Sequence, residues 1–428
     1  VMPKARLGTL APHFDFDEFF TRIDAPSFSS LNVAVPEFMA AYSKLLAAEP
    51  LAGLKSYLAW HYVSANAHLL NKPLVDENFA FYGRTLTGTK QLKPRWKRCV
   101  QATDRELGFD LGREFVARTF GKQGKQRTLA MVHQIEGEMG KDIQSIGLMS
   151  PQTKQQALVK LHAVVDKIGY PEKWRDYSSV IILNGDYFGN TQRANEFESR
   201  RELKKIGKPV NRQEWLMTPP TVNAYYDPTE NNINFPAGIL QPPFYSNQAA
   251  DPENYGAAGA VIGHELTHAF DDEGRQYDAS GNLRDWWQKS DEVRFEKLAK
   301  CFENEYSAFS PVPGVHLNGK LTLGENTADN GGVRLAYLAL LGDLARKDIP
   351  VQKKENGYTK SQQFFLAYAQ AWCENMRPEY ARLLAQTDPH SMPRFRVNGV
   401  VSNMSQFDQA FGCKAGDKMH VVHACRVW

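Results

Sequence analysis

Five residues, His264-Glu265-Leu266-Thr267-His268, carry the clearest chemistry in the chain. Positions i and i+4 of an α-helix lie one above the other on the same face, so the two imidazoles can grip one metal ion from a single turn. Glu265 projects beside such a site, where a carboxylate can take a proton from a water held by the metal. The lead-in, Gly256-Ala257-Ala258-Gly259-Ala260-Val261-Ile262-Gly263, is small and apolar, as suits a helix packed deep in a core. Asp271 follows the pair. It either accepts the second ring N–H of a ligand histidine, fixing tautomer and orientation, or is a charge that solvates the helix end.

A catalytic zinc takes three protein ligands and leaves its fourth position to water. Downstream, Gly324-Glu325-Asn326-Thr327-Ala328-Asp329 offers two carboxylates, again at i and i+4. If a helix opens here, Glu325 can ligate the metal while Asp329 hydrogen-bonds a ligand histidine. Two acids in a first turn also favour the helix dipole with no metal involved, and spacing alone does not choose.

Several motifs in order resemble the neprilysin and endothelin-converting-enzyme family of zinc metallopeptidases. Val261 to Asp272 is similar to its zinc helix and Gly324 to Asp329 to its second zinc motif. Val222-Asn223-Ala224-Tyr225-Tyr226 resembles its substrate strand, Asn234 to Phe244 another signature, and Cys425-Arg426-Val427-Trp428 its ending. The resemblance implies one zinc ion held by His264, His268 and Glu325. It implies Glu265 as the base, and Asp329 as the group orienting a ligand histidine or donating a proton. Asn223 and Ala224 would hydrogen-bond substrate backbone, and His390 would stabilise the oxyanion. Arg396 would bind a substrate carbonyl beside an apolar primed-side pocket lined by Val261 and Trp372. The family also implies a Cys301–Cys425 disulfide. Cys99, Cys373 and Cys413 would then pair with cysteines in an N-terminal portion that complete members carry and this chain lacks. Disulfides point to an extracytoplasmic setting, periplasmic or secreted.

The function expected is a zinc-dependent endopeptidase that cuts short peptides on the amino side of large hydrophobic residues, using a water activated by Glu265. Two alternatives stay open: a catalytically silent peptide-binding relative, and an exopeptidase of carboxydipeptidase type using Arg396 as its terminus clamp.

The elements that must position these groups are legible in outline. With 42% hydrophobic and 23% charged residues, 428 residues suffice for two or three domains with sizeable cores. A net charge of +3 is too mild to argue for nucleic acid. No apolar run has the length of a membrane-spanning segment. The fold class expected is α+β, predominantly helical: a thermolysin-like zinc catalytic domain over 187–428, packed against a mostly helical, partial domain over 1–186. Ser150-Pro151 reads as a helix start, followed by an apolar stripe from Ala157 to Ile168 that ends at Gly169-Tyr170-Pro171. Thr221–Tyr226 reads as a strand, 227–232 as a turn, and Ile233–Phe235 as a second strand, giving an edge to which an extended peptide can pair. A helix is expected near Ser361–Met376, and then loops that carry His390 and Arg396.

Overall fold

Ser150 caps a helix as its side chain dictates, accepting from the Thr153 amide, with Pro151 at the first helical position where its missing N–H costs nothing. That helix, α2 (Pro151–His162), follows α1 (Gly121–Ser145), whose buried stripe Val132, Ile135, Met139 and Ile143 repeats at helical spacing. The apolar stripe does not continue as helix to Ile168. Residues Val165–Gly169 form strand β1 instead. The β-branched Val164 and Val165 favour extended backbone, and a parallel partner strand supplies the hydrogen bonds that the helix would have given.

That partner is β3 (Asn232–Pro236), central in a three-stranded sheet and also paired antiparallel to β2 (Tyr225–Asp227). β2 is therefore an edge strand, as the pattern predicts, but a shorter one: Asn223 and Ala224 lie just before its first residue. The zinc-motif helix is α3 (Ala260–His268), which continues from a single π-helical stretch over Tyr255–Gly259. Then come α4 (Lys289–Ser307), α5 (Leu323–Arg346), α6 (Lys360–Ala371) and α7 (Pro393–Ser402). Helix α6 stops at the Trp372 cap, short of Met376. Arg396 sits on α7 and not in a loop, because Pro393 sets the first turn of a helix whose cap is Met392.

This computed structural model describes residues 1–428 and divides into two compact units. One comprises 1–85, 89–107 and 176–211, built on helices such as Pro36–Ala48, Leu51–Asn66 and Tyr187–Leu203. The other comprises 86–88, 108–175 and 212–428 and holds all the elements labelled above. The units do not follow one cut at residue 186. Residues 108–175 fold with the C-terminal half since β1 completes its sheet, whereas 187–211 join the N-terminal helices. Predominantly helical α+β describes the chain, with its few short strands.

Candidate metal centre and substrate cleft

Helices α3 and α5 cross with backbone against backbone. A Cβ on Gly263 would lie 2.3 Å from the Gly332 carbonyl oxygen, and one on Gly332 would lie 2.2 Å from the His264 nitrogen. Only glycine permits that approach, and it brings the first turn of α5 beside the last turns of α3. His264 Nε2 and His268 Nε2 are 2.9 Å apart. Glu325 contributes Oε2 at 3.2 Å from His264 Nε2 and Oε1 at 3.7 Å from His268 Nε2. Glu265 is buried in the same cluster.

The outer contacts fix the rings. His264 Nδ1 faces Asp329 Oδ1 at 2.8 Å, and His268 Nδ1 faces Asp271 Oδ2 at 2.6 Å. With each Nδ1–H donated to a carboxylate, both Nε2 atoms present lone pairs to one another, a repulsive arrangement unless a cation lies between them. The buried Glu325 Oε2 has no aligned hydrogen bond. Two imidazole nitrogens and a carboxylate oxygen, all converging and otherwise unsatisfied, fit one zinc ion with a position left for water.

Electrostatics point the same way. Burial works against charge on both histidines, yet the carboxylates outweigh it: Asp329 and Glu325 raise His264, while Asp271 and Glu325 hold His268 well above its ordinary value. Burial also disfavours the Glu325 and Asp329 anions, but His264 and His268 keep Glu325 well below the usual range, and Arg396 and His264 keep Asp329 low. Glu265 is pushed up, chiefly by burial and further by Glu325. The pocket is built to hold positive charge.

A cleft of about 450 Å³ opens onto this centre. Asn223, Ala224, Val261, Trp372, His390 and Arg396 all line it, with Phe244, Tyr226 and Tyr368. His390 stands in a loop, its Nδ1 2.8 Å from Asp388 and its Nε2 3.2 Å from Glu325 Oε2. Arg396 gives Nε and Nη2 to Asp329, and its guanidinium stacks 4.0 Å from the Trp372 ring centre.

The sequence matches peptidase family M13 twice, over residues 1–171 and 223–427. The chain belongs to peptidase family M13. It is 38% identical to human endothelin-converting enzyme 1 over 99% of its own length and 56% of that protein. It is 40% identical to the endothelin-converting enzyme homolog of Locusta migratoria, over 88% of the chain and 52% of the relative. It thus spans about half the length of these relatives. Among solved structures, the inhibitor complex of Mycobacterium tuberculosis zinc metalloprotease Zmp1 superposes with TM-score 0.93 at 40% identity, covering 99% of this chain and 65% of that one. PepO of Lactobacillus rhamnosis gives 0.87 at 30% identity, over 98% and 65%.

In this M13 member the structure brings the expected metal-binding, catalytic and substrate-contacting residues, with Asp271, to one cleft. Cys301 and Cys425 are joined in a disulfide, while Cys99 and Cys373 are exposed thiols and Cys413 is partly buried. Sequence reasoning missed three contributors. Phe244, inside one of the family-like signatures, packs edge-on against Trp372 in the cleft wall. Asp388, two residues before His390, accepts from the His390 amide at 2.8 Å, the Asx turn its residue type favours, and the same oxygen also meets the ring Nδ1. The Arg396–Asp329 pair joins residues 67 apart and leaves no local signal.

Proposed function

We propose that this chain carries the catalytic centre of a zinc endopeptidase that hydrolyses short peptides on the amino side of large hydrophobic residues. The observation that carries it is the convergence of His264 Nε2, His268 Nε2 and Glu325 Oε2, with both histidines oriented from behind by carboxylates. A zinc ion held there supplies Lewis acidity, polarising the scissile carbonyl and making water more acidic. Glu265 takes a proton from the attacking water as its oxygen bonds to the carbonyl carbon. It then gives that proton to the amine as the C–N bond breaks. Asp329 and Asp271 orient the ligand rings. His390, held by Asp388, faces the developing oxyanion, where one such donor is worth about 3 kcal/mol of barrier. Extended substrate pairs with the edge that Asn223 and Ala224 lead into.

Val261, Phe244 and Trp372 favour a large apolar side chain on the primed side. Arg396 contributes there through the part of its fork that Asp329 does not occupy. That commitment to Asp329 gives the exopeptidase alternative less support, since a terminus clamp needs a free bidentate fork. The disulfide suits an extracytoplasmic setting. No helix is long and apolar enough to cross a membrane.

The test is mass-spectrometric mapping of cleavage in a mixed peptide library, with Glu265→Gln as control. Cuts before large apolar residues that vanish in the control are expected. Cuts that persist in the control, or a silent wild type with zinc bound, would overturn the reading.

A further inference from the structure

Lys160 is a lysine with almost no solvent exposure, 1% by relative area, and no carboxylate in direct contact. Its Nζ donates to three backbone carbonyls, Ala269, Gly274 and Tyr277, each at 2.7 Å. A neutral amine has two N–H groups, so three converging acceptors call for the ammonium form. The rings of Phe270, Tyr226 and Trp286 surround it, with centres 5.6–5.9 Å away. Burial pulls its pKa down to about 7, with Asp271 and Asp278 pulling the other way. A buried charge is costly unless it is fully hydrogen-bonded, and this one is spent on a single short segment.

That segment is the turn leaving α3. Ala269 follows the second histidine of the zinc motif directly. Gly274 gives its carbonyl to Lys160 and its amide to Asp271 Oδ1 at 2.7 Å, and Glu273 gives its amide to the same oxygen at 2.9 Å. The other oxygen, Asp271 Oδ2, holds His268 Nδ1. No Cβ fits on Gly274, since it would lie 1.8 Å from the His268 carbonyl oxygen, so the turn has little room to rearrange. On its far side, the Lys160 carbonyl accepts from Asn231 Nδ2 at 3.1 Å, and Asn231 Oδ1 accepts from the Tyr226 hydroxyl at 2.8 Å. Tyr226 lies on β2, at the cleft wall.

We propose that Lys160 is a positioning residue of the metal centre: its ammonium clamps the 269–277 turn so that Asp271 presents its carboxylate to His268. It touches neither metal nor substrate, and acts through Asp271. The inference rests on His264, His268 and Glu325 being the zinc ligands.

The experiment measures zinc affinity of the full chain by competition with a chromogenic chelator, alongside the melting temperature of the metal-free form. The proteins are wild type, Lys160→Met, Asp271→Asn and the double variant. Supporting partners of ligand histidines are worth about 10–100-fold in metal affinity, and Lys160→Met should lose zinc within that range. The double variant should bind no more weakly than Asp271→Asn alone, because the two changes break one chain of contacts. A purely structural lysine would lower the melting temperature with wild-type zinc affinity, or give losses that multiply, and either result overturns the proposal. If Lys160→Met does not fold, Lys160→Arg carries the test. It keeps the charge, but its planar fork cannot match three converging carbonyls. An affinity equal to wild type in that variant overturns the proposal too. A wild type that binds no zinc removes the metal reading and this inference together, whereas a wild type that binds and variants that equal it remove this inference alone.

Discussion

Arg396 and Asp329 are joined by two parallel bonds of 2.7 Å, Nε to Oδ2 and Nη2 to Oδ1, both residues being buried. Asp329 therefore serves two partners, the arginine and the His264 ring at 2.8 Å. Removing the guanidinium strands a buried carboxylate. Arg396→Met should cost about 3–5 kcal/mol of stability in denaturant unfolding and weaken peptide turnover as well. Arg396→Lys should recover part of the stability, since a point charge cannot make both bonds. A loss below about 1 kcal/mol in the methionine variant would show that Asp329 relaxes to solvent, contrary to its burial.

Glu265 is buried between the two histidines of the motif and lines the cleft. Glu265→Gln should keep one zinc per chain and lower kcat by about 10²–10⁴-fold, the usual worth of a positioned base. His264→Ala should lose the metal. Metal analysis and single-turnover kinetics separate the two. Turnover retained in Glu265→Gln would remove that residue from the proton path.

Legibility followed sequence separation. The His264–Glu265–His268 group was readable because helical spacing alone puts it on one face, and Ser150-Pro151 because capping is local. The Glu325 side of the site was readable only as a conditional, since it depends on how α5 crosses α3. That crossing is set by Gly263 against Gly332, which look like ordinary small residues in sequence. The β1 segment was misread for the same reason: an apolar run of its length suits helix or strand, and its partner lies 67 residues on, at Asn232 for Val165. His390 and Arg396 carried no signal of their own beyond family likeness.

The glycine crossing can be tested directly. Gly332→Ala places a methyl within 2.2 Å of the His264 nitrogen and 2.6 Å of the Gly263 carbonyl carbon, backbone atoms that cannot swing aside. Overpacking of this kind costs about 1–3 kcal/mol or more, and it should also part Glu325 from the histidines and weaken zinc binding. Gly137→Ala on α1 is the control, with nothing within 4 Å of the added methyl. It should be neutral or stabilising by up to about 1 kcal/mol. Equal behaviour of the two variants in unfolding and zinc titration would deny the crossing its role.

Away from the site, Glu136 on α1 and Asp166 on β1 lie close together with His133. Burial, with the Asp166 charge and a shared hydrogen bond, pushes Glu136 up to about 8. Burial lifts Asp166 to about 6, against the pull of His133 and Glu136. Both folded-state values exceed their unfolded ones, so across this window the folded chain holds more protons than the unfolded chain. The stability this pair contributes is fully present below about pH 4, where both carboxyls are protonated even when unfolded, and drains away as pH rises through 6 and 8. Glu136→Gln keeps the shape and a hydrogen-bond donor but cannot ionise. Its melting temperature should match wild type or fall slightly below it near pH 5, and exceed it by a few degrees at pH 8. The measurement is thermal unfolding of both proteins in metal-free buffer over that range, which keeps zinc linkage out of the comparison. Parallel curves would mean that the two carboxylates share no proton and that their closeness has no energetic weight.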